Sequence, residues 1–237
     1  MGAARGDVVD AVRRELKAAG DPGRAVGQQA YMKSAMPFRG LTSPALRTTL
    51  RPLLADPAYL LNDRDEWEAT VRDLWDAARF REERYAALAI CGHRPYRQWA
   101  TERAVMSLYR HLVESGAWWD FVDDIASHRI GPILRANPGS EADRMRSWAS
   151  AGNLWVRRAA ILSQLSSKEE TNRQLLLDCI KPNLDDRDFF IRKAVGWSLR
   201  QYAHCGTEAA DWVRSSVDEL GPRLSPLSRR EALKHLG

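Results

Sequence analysis

Apolar residues recur along most of this chain at the spacing of amphipathic helices. One face of the segment VVDAVRREL carries apolar residues at the i, i+3, i+4 spacing, namely Val8, Val9, Val12 and Leu16. Such segments are separated by short breaks at Gly or Pro, for example CGHRPY, HCGT and LGPRLSP. Strand-like alternation is nearly absent. The pattern predicts roughly a dozen helices with short connections, and we interpret residues 1–237 as one all-α domain.

Several helix starts can be predicted from capping residues. In LTSPALRTTLRPLL we expect Ser43 to be the N-cap and Pro44 the first helical residue, because both types are favoured there. The segments SKEETNRQLLLDCI and TEAADWVRSSVDEL each open with a capping residue followed by acids, which suit a helix N-terminus. We therefore expect both segments to be helical from their first turn.

A basic phrase recurs along the chain. It reads ERYAALAI around Arg84, VRRAAILS around Arg157, IRKAVGWS around Arg192 and SRREALKH around Arg229. The last three arginines are 35 and 37 residues apart, and Arg84 precedes Arg157 by 73 residues, which is two steps. This is the period of paired-helix solenoids, in which each unit buries its apolar face only against its neighbours.

The basic residues of the phrase would recur on one surface of such a solenoid. A row of cations at a regular rise suits a phosphate backbone. The alternative is that these side chains are solvated or paired with acids of the next repeat. The candidate DNA-binding cations of the phrase are Arg157, Arg192, Lys193, Arg229 and Arg230.

One repeat abandons the basic phrase. A step after Arg84 the register falls at Asp120, inside AWWDFVDDI, where two tryptophans precede three aspartates. If this segment is helical, Trp119 and Asp123 are four residues apart and share a face. A tryptophan pair is usually core and a lone Asp is usually solvated, but an acid beside a cationic surface repels the phosphates that the surface attracts. We therefore regard this segment as the candidate site.

Composition and charge support a polyanionic partner. The net charge is +5, and 30 of the 36 cationic residues are Arg, whose guanidinium binds phosphate bidentately. A high-GC coding sequence would also produce an Arg-rich protein. The chain has no apolar run of membrane-spanning length and no signal-peptide core at its start, so we expect a cytoplasmic location near the nucleoid. Its three cysteines form no CxxC pair and no HExxH is present, so neither a disulfide framework nor a metal site is expected.

Carboxylate and indole groups together suit one reaction near DNA. Cleavage of an N-glycosidic bond builds positive charge on the sugar, and a carboxylate stabilises that charge and orients the attacking water. Indole faces attract cations. A purine alkylated at N3 or N7 is itself positively charged, and it leaves without a strong general acid.

The chain resembles the AlkD family of bacterial alkylpurine DNA glycosylases nearly from end to end. The resemblance rests on AYMKSAMPFRGL, RDLWD, AWWDFVDDI, NLWVRRAAIL, FFIRKAVGWSLRQYA and PLSRREALKH. It implies an all-α solenoid of HEAT-like repeats with a concave basic surface for duplex DNA. It also implies a monomer that hydrolyses the N-glycosidic bond of N3- and N7-alkylated purines such as 3-methyladenine and 7-methylguanine. The resemblance implies that the reaction needs neither a metal nor a cofactor, and that the base stays stacked in the duplex.

The resemblance also assigns residues. Asp123 matches the catalytic carboxylate, Trp119 and Trp197 match the two indoles that contact the lesion nucleotide, and Arg158 matches an arginine that anchors the DNA backbone. Weaker matches make Arg200 a backbone contact and Tyr31 a lesion-side contact. The family can carry a glutamine where this chain has Thr42, so the contact with the opposite strand is not implied here.

The expected function is therefore base-excision repair of alkylated DNA. A protein that leaves the base stacked need not exclude bulky adducts, and some relatives in antibiotic-producing bacteria protect against their own DNA-alkylating metabolites. One alternative is a DNA-binding relative without catalysis, which the retention of Asp123, Trp119 and Trp197 disfavours. The other is a protein-interaction scaffold, which would have no use for Asp123.

Overall fold

The computed structural model describes residues 2–236, which fold into α-helices and short 3₁₀ and π turns without any β-strand. The all-α prediction is therefore confirmed. The helices are α1 (Gly6–Ala18), α2 (Pro22–Met32), α3 (Ser43–Ala55), α4 (Arg64–Asp76), α5 (Arg81–Cys91), α6 (Arg97–Ala100), α7 (Met106–Gly116), α8 (Trp119–Ile125), α9 (Gly131–Ala136), α10 (Pro138–Ala149), α11 (Leu154–Leu162), α12 (Arg173–Ile180), α13 (Phe189–Ala203), α14 (Thr207–Leu220) and α15 (Pro226–Ala232).

The chain forms two compact units, Met1–Leu108 and Tyr109–Gly237. The interpretation of residues 1–237 as one domain stays a prediction, and its two terminal residues lie outside the described range. Across residues 2–236, no helix has both the length and the apolar character needed to cross a membrane.

The first unit is built on α1, α3, α4 and α5. All four residues of the predicted apolar face of α1 are buried, which confirms that face. Helix α2 differs, because Met32 is the one buried residue along it. Tyr31, the predicted lesion-side contact, is 79% exposed on α2.

Two buried glutamates hold the segment between α2 and α3. The carboxylate of Glu82 accepts hydrogen bonds from the backbone N–H groups of Arg39, Gly40 and Leu41 at 2.9, 2.9 and 3.2 Å. Glu83 pairs with the Arg39 guanidinium at 2.9 Å. Gly40 has φ +91°, and a Cβ there would lie 2.0 Å from the carbonyl oxygen of Asp21, so only glycine fits. Glu82, Glu83 and Gly40 therefore fix the backbone of the MPFRGL segment.

Two predicted helix starts are wrong. The N-cap of α3 is Thr42 and not Ser43, because the Thr42 hydroxyl lies three residues before the N–H of Ala45, from which it accepts a hydrogen bond at 3.3 Å. The acids of SKEET form a separate 3₁₀ turn, Lys168–Glu170. Helix α12 begins only after Asn172, whose side chain accepts a hydrogen bond from the N–H of Leu175. In each case the side chain of a residue other than the predicted one accepts the hydrogen bond that caps the helix.

The second unit consists of paired helices. Helix α10 packs on α11, α12 on α13 and α14 on α15, and the later helices α8, α11, α13 and α15 pack each against the next. This is the arrangement expected from a helical repeat of 35 to 37 residues.

The helix N-caps give the true register of the repeat. The caps of α8, α11, α13 and α15 are Trp118, Asn153, Asp188 and Ser225, with separations of 35, 35 and 37 residues. The leading arginines of the basic phrase each lie four residues after their cap. The matching position in α8 is Val122, so the predicted register at Asp120 is wrong by two residues. The reason is that the step from the cap of α5 to the cap of α8 is longer, at 38 residues.

The corrected register changes the meaning of Asp123. It lies five residues after its cap, where the following repeats carry Arg158, Lys193 and Arg230. The candidate acid therefore replaces a cation that the other repeats of this unit retain.

Gly196 sets the closest approach between α13 and α15. A Cβ on Gly196 would lie 2.5 Å from both the Cβ of Glu231 and the carbonyl oxygen of Ser228, which is closer than such atoms can pack. We expect Gly196→Ala to lower the free energy of unfolding by about 1–3 kcal/mol through overpacking, as measured by urea denaturation.

Gly139→Ala is the matched control. Gly139 is also helical, but a Cβ there would meet nothing within 4 Å. This variant should be neutral or up to about 1 kcal/mol more stable. Equal effects of the two substitutions would contradict the close approach at Gly196.

Candidate active site

Helix α8 places the candidate acid. Trp118 is its N-cap with extended backbone, and Phe121, Val122 and Ile125 are buried along it. Trp119 and Asp123 occupy the i, i+4 positions of the remaining face. Trp119 is half-buried, and the side chain of Asp123 is largely buried. The backbone continues through a π-helical turn, Ala126–Ile130, into α9, and such turns are frequent next to functional sites.

Asp123 forms a bidentate ion pair with Arg158. Nε of Arg158 donates to Oδ1 of Asp123 at 2.7 Å, and Nη2 donates to Oδ2 at 2.8 Å. Nη1 of Arg158 donates to the carbonyl oxygen of Phe190. The Arg158 side chain is 4% exposed and that of Asp123 is 13% exposed. One guanidinium therefore joins α8, α11 and α13.

The pKa of Asp123 is raised above its ordinary value. Burial is the main cause, the hydrogen bond and the charge of Arg158 oppose it, and the nearby Asp120 charge adds to the increase. A carboxylate with a raised pKa is a stronger proton acceptor than a surface aspartate. Each oxygen also keeps a lone pair beyond the one that Arg158 uses, so the group can still contact a water or a sugar.

An aromatic cluster packs at the N-terminal ends of the same three helices. The rings of Trp118, Trp155 and Phe190 lie 5.1–6.0 Å from one another between centroids. Phe189 packs edge-on against Phe190 at 5.5 Å and is 58% exposed. Trp118 thus has a packing role. The cluster adjoins the ion pair through Phe190, whose ring centre lies 5.9 Å from the Arg158 guanidinium.

Trp197 lies on α13 between two cations. Lys193, Trp197 and Arg200 are spaced i, i+4 and i+7, so they share one face of the helix. Trp197 is half-buried. Lys193 and Arg200 both pair with Glu231 of α15, at 2.7 and 2.6 Å.

Most other candidate cations of this unit have partners within the protein. Arg157 pairs with Asp186 at 2.7 Å and donates to Asn183 at 3.1 Å. Arg192 donates to the backbone carbonyl of Asp186, and Arg229 pairs with Asp218 at 3.3 Å. Arg230 is exposed. The alternative in which the arginines pair with neighbouring acids therefore describes much of the resting surface, and contact of these cations with phosphate stays a prediction.

The predicted site residues lie on several helices. Asp123 and Arg158 are in direct contact, Trp119 lies one turn before Asp123 on α8, Trp197 is on α13, and Tyr31 is on α2 of the first unit. Sequence reasoning missed Trp155 and Phe190. They are 35 residues apart and each lies two residues after its N-cap, so the repeat register would have found them.

The cysteines and the possible metal ligands can be located in the structure. Within the described part of the chain, no three His, Cys, Asp or Glu side chains are grouped as metal ligands. Cys91 and Cys179 are buried free thiols, and Cys205 is a half-buried one. Burial raises the pKa of Cys179 to about 12, which keeps that thiol protonated and unreactive.

We expect Arg158→Met to destabilise the protein by about 3–5 kcal/mol near pH 7, because it leaves a buried carboxylate without its partner. It also removes the group that lowers the pKa of Asp123, so that pKa rises further above its unfolded value. Protonation then favours the folded state, and the deficit should shrink as the pH falls through the raised pKa. Urea unfolding at about pH 7 and about pH 5 measures this change.

The double variant Asp123→Asn/Arg158→Met is the control, because it carries neither charge. Its stability relative to wild type should depend less on pH than that of Arg158→Met. A deficit of Arg158→Met that is the same at both pH values would contradict a buried, partnerless Asp123.

Comparisons with known proteins identify the family of this chain. A family model described as DNA alkylation repair enzyme matches residues 12–236. A solved structure, described as a predicted DNA alkylation repair enzyme from Enterococcus faecalis, is 29% identical with a TM-score of 0.77, covering 92% of this chain and 97% of that chain. No curated protein matches this chain. The match over almost the whole sequence establishes that the chain belongs to the DNA alkylation repair enzyme family.

Proposed function

We propose that this protein is a DNA glycosylase that hydrolyses the N-glycosidic bond of N3- and N7-alkylated purines in duplex DNA. The observation that carries the proposal is the buried Asp123 carboxylate, held by both oxygens against Arg158 in a chain of a DNA alkylation repair family. A surface acid would be free to turn, whereas this one has a fixed orientation.

The reaction needs a carboxylate and no strong acid. The bond between C1′ of the sugar and the purine nitrogen breaks, and the electron pair goes to the base, which loses its positive charge. Water adds to C1′ and gives up a proton, leaving an abasic sugar and a neutral alkylpurine. Asp123 stabilises the positive charge that develops on the sugar and orients the water. Its raised pKa also makes it a suitable acceptor for the proton of the water.

The two tryptophans act on the positive charge of the lesion nucleotide. Trp119 lies one turn before Asp123, and Trp197 lies two turns after Phe190 on α13. Indole faces attract cations by about 0.5–2 kcal/mol depending on burial. They would hold the lesion nucleotide with its sugar towards Asp123, while the base stays in the helical stack. Arg158 orients the carboxylate. Its predicted contact with the DNA backbone would require this guanidinium to move and release a partner, because it is 4% exposed and all three of its nitrogens donate within the protein.

The two alternatives account less well for these contacts. A protein-interaction scaffold would gain nothing from a carboxylate taken out of water, since burial of an ion costs several kcal/mol. A DNA-binding protein without catalysis would be better served by the cation that the next two repeats carry at this position, Arg158 and Lys193.

The direct test is incubation of the protein with duplex DNA that contains 7-methylguanine, followed by detection of abasic sites. We expect release of the alkylated base and no release of guanine from the undamaged duplex. Duplex that is bound but not cleaved at the glycosidic bond would exclude the enzymatic proposal.

We expect Asp123→Asn to lower the single-turnover excision rate by at least about a hundredfold, because a charge that acts in the transition state is lost. Affinity for duplex DNA should stay equal or rise, since a repulsive charge is removed. Asp124→Asn is the matched control on the same helix. Asp124 pairs with Arg129 at 3.5 Å, and its substitution should leave the rate within a few-fold of wild type.

The size of the accepted adduct requires a second assay. We propose that a site acting from the sugar side, with no pocket around the base, tolerates bulky adducts, which would suit protection of a producing organism from its own DNA-alkylating metabolite. Excision of a methylated purine and of a bulky minor-groove purine adduct should be compared side by side. Rates within about tenfold are expected, and complete loss of activity on the bulky adduct would limit the function to small lesions.

A further inference from the structure

The two cations beside Trp197 share one carboxylate. Nζ of Lys193 lies 2.7 Å from Oε1 of Glu231, and Nη1 of Arg200 lies 2.6 Å from Oε2. Each carboxylate oxygen therefore has its own cation. Both cations are candidate DNA contacts, and Glu231 belongs to none of the groups assigned so far.

The helix packing explains why Glu231 is fixed in this place. Its Cβ faces Gly196, where α13 and α15 approach most closely, and the residue is only 8% exposed. The hydroxyl of Ser228 donates to the carbonyl oxygen of Arg192 one turn earlier and ties the two helices together. Glu231 can therefore be displaced from its cations only if the cations move, because the carboxylate itself has little freedom.

The carboxylate keeps its charge at neutral pH. The hydrogen bond from Lys193 lowers the pKa of Glu231 most, burial opposes it, and the hydrogen bond from Arg200 lowers it further. An ionised carboxylate and a DNA phosphate accept hydrogen bonds from the same donors with similar geometry. The two groups therefore compete for Lys193 and Arg200.

We propose that Glu231 is an internal competitor of the DNA backbone, which holds Lys193 and Arg200 beside Trp197 and weakens their binding to duplex DNA. The proposal rests on DNA binding by this face, as in the proposed function. Phosphate contact by either cation must replace an existing ion pair. Each new contact therefore adds little net binding free energy. Undamaged DNA then gains little from this face, and Trp197 is kept between two ordered side chains.

The test measures binding of wild type and Glu231→Gln to an undamaged duplex by fluorescence anisotropy at several salt concentrations. Gln keeps the size of the side chain and its packing on Gly196. We expect binding two- to fivefold tighter at a fixed salt concentration, as released partly buried ion pairs would give. The slope of log Kd against log salt should steepen by about 0.9 for each cation that now contacts phosphate.

Glu208→Gln is the matched control for the change in net charge. Glu208 pairs with Arg173 at 2.6 Å in the same unit, but its side chain is 85% exposed. This variant should leave the slope unchanged. An unchanged slope in Glu231→Gln, or a lowered melting temperature together with weaker binding, would overturn the proposal and make Glu231 a structural residue.

A second variant tests the proposal without altering Glu231. If Lys193 is engaged by Glu231, Lys193→Met should change wild-type affinity by less than about twofold and leave the salt slope in place. In the Glu231→Gln background the same substitution should remove part of the gain. If Lys193→Met in the wild-type background reduces the salt slope by the equivalent of about one counterion, the proposal is overturned.

The two proposals fail differently. Absence of any duplex binding by the wild-type protein would exclude both of them. Bound duplex without excision, with a steeper slope in Glu231→Gln, would exclude the glycosylase proposal and support the competition by Glu231.

Discussion

The second unit depends on the ion pair between Arg158 and Asp123. Removal of two charges from water costs several kcal/mol per ion, so such a pair adds little net stability even when its geometry is good. It is nevertheless costly to break, because either partner alone would be a buried charge. Arg158 satisfies both oxygens of Asp123 and also binds the backbone of α13. The pair therefore links three successive helices and fixes the direction of the candidate catalytic carboxylate.

The repeat itself explains how this pair arises. Asp123 and Arg158 occupy the same position, five residues after the cap, in successive helices that pack together. Had the repeat kept its cation in α8, two positive groups would face each other across this contact. Replacement by an acid turns the repulsion into a bidentate ion pair, and Phe190 of the aromatic cluster lies next to its guanidinium. A departure from the repeat thus generates a site with a fixed charge.

Acidic side chains also form ion pairs with other cations of this unit. Asp186 holds Arg157, and Glu231 holds both Lys193 and Arg200. A formal net charge of +5 is thus compatible with a resting surface on which many arginines already have partners. The sequence places cations at a regular period, but their availability to DNA depends on which acids the packing brings near them.

The sequence by itself determined the helical class, the buried face of α1 and the period of the repeat, because these depend on local spacing of apolar and capping residues. It also pointed to the segment that holds Trp119 and Asp123, whose i, i+4 spacing gives them one helix face, and the family resemblance then selected these two residues. The tertiary structure decided the register at Val122, the partner of Asp123, the aromatic cluster and the pairing of Glu231. Those contacts join residues about 35 positions apart, and the length of each connection between helices decides which side chains meet.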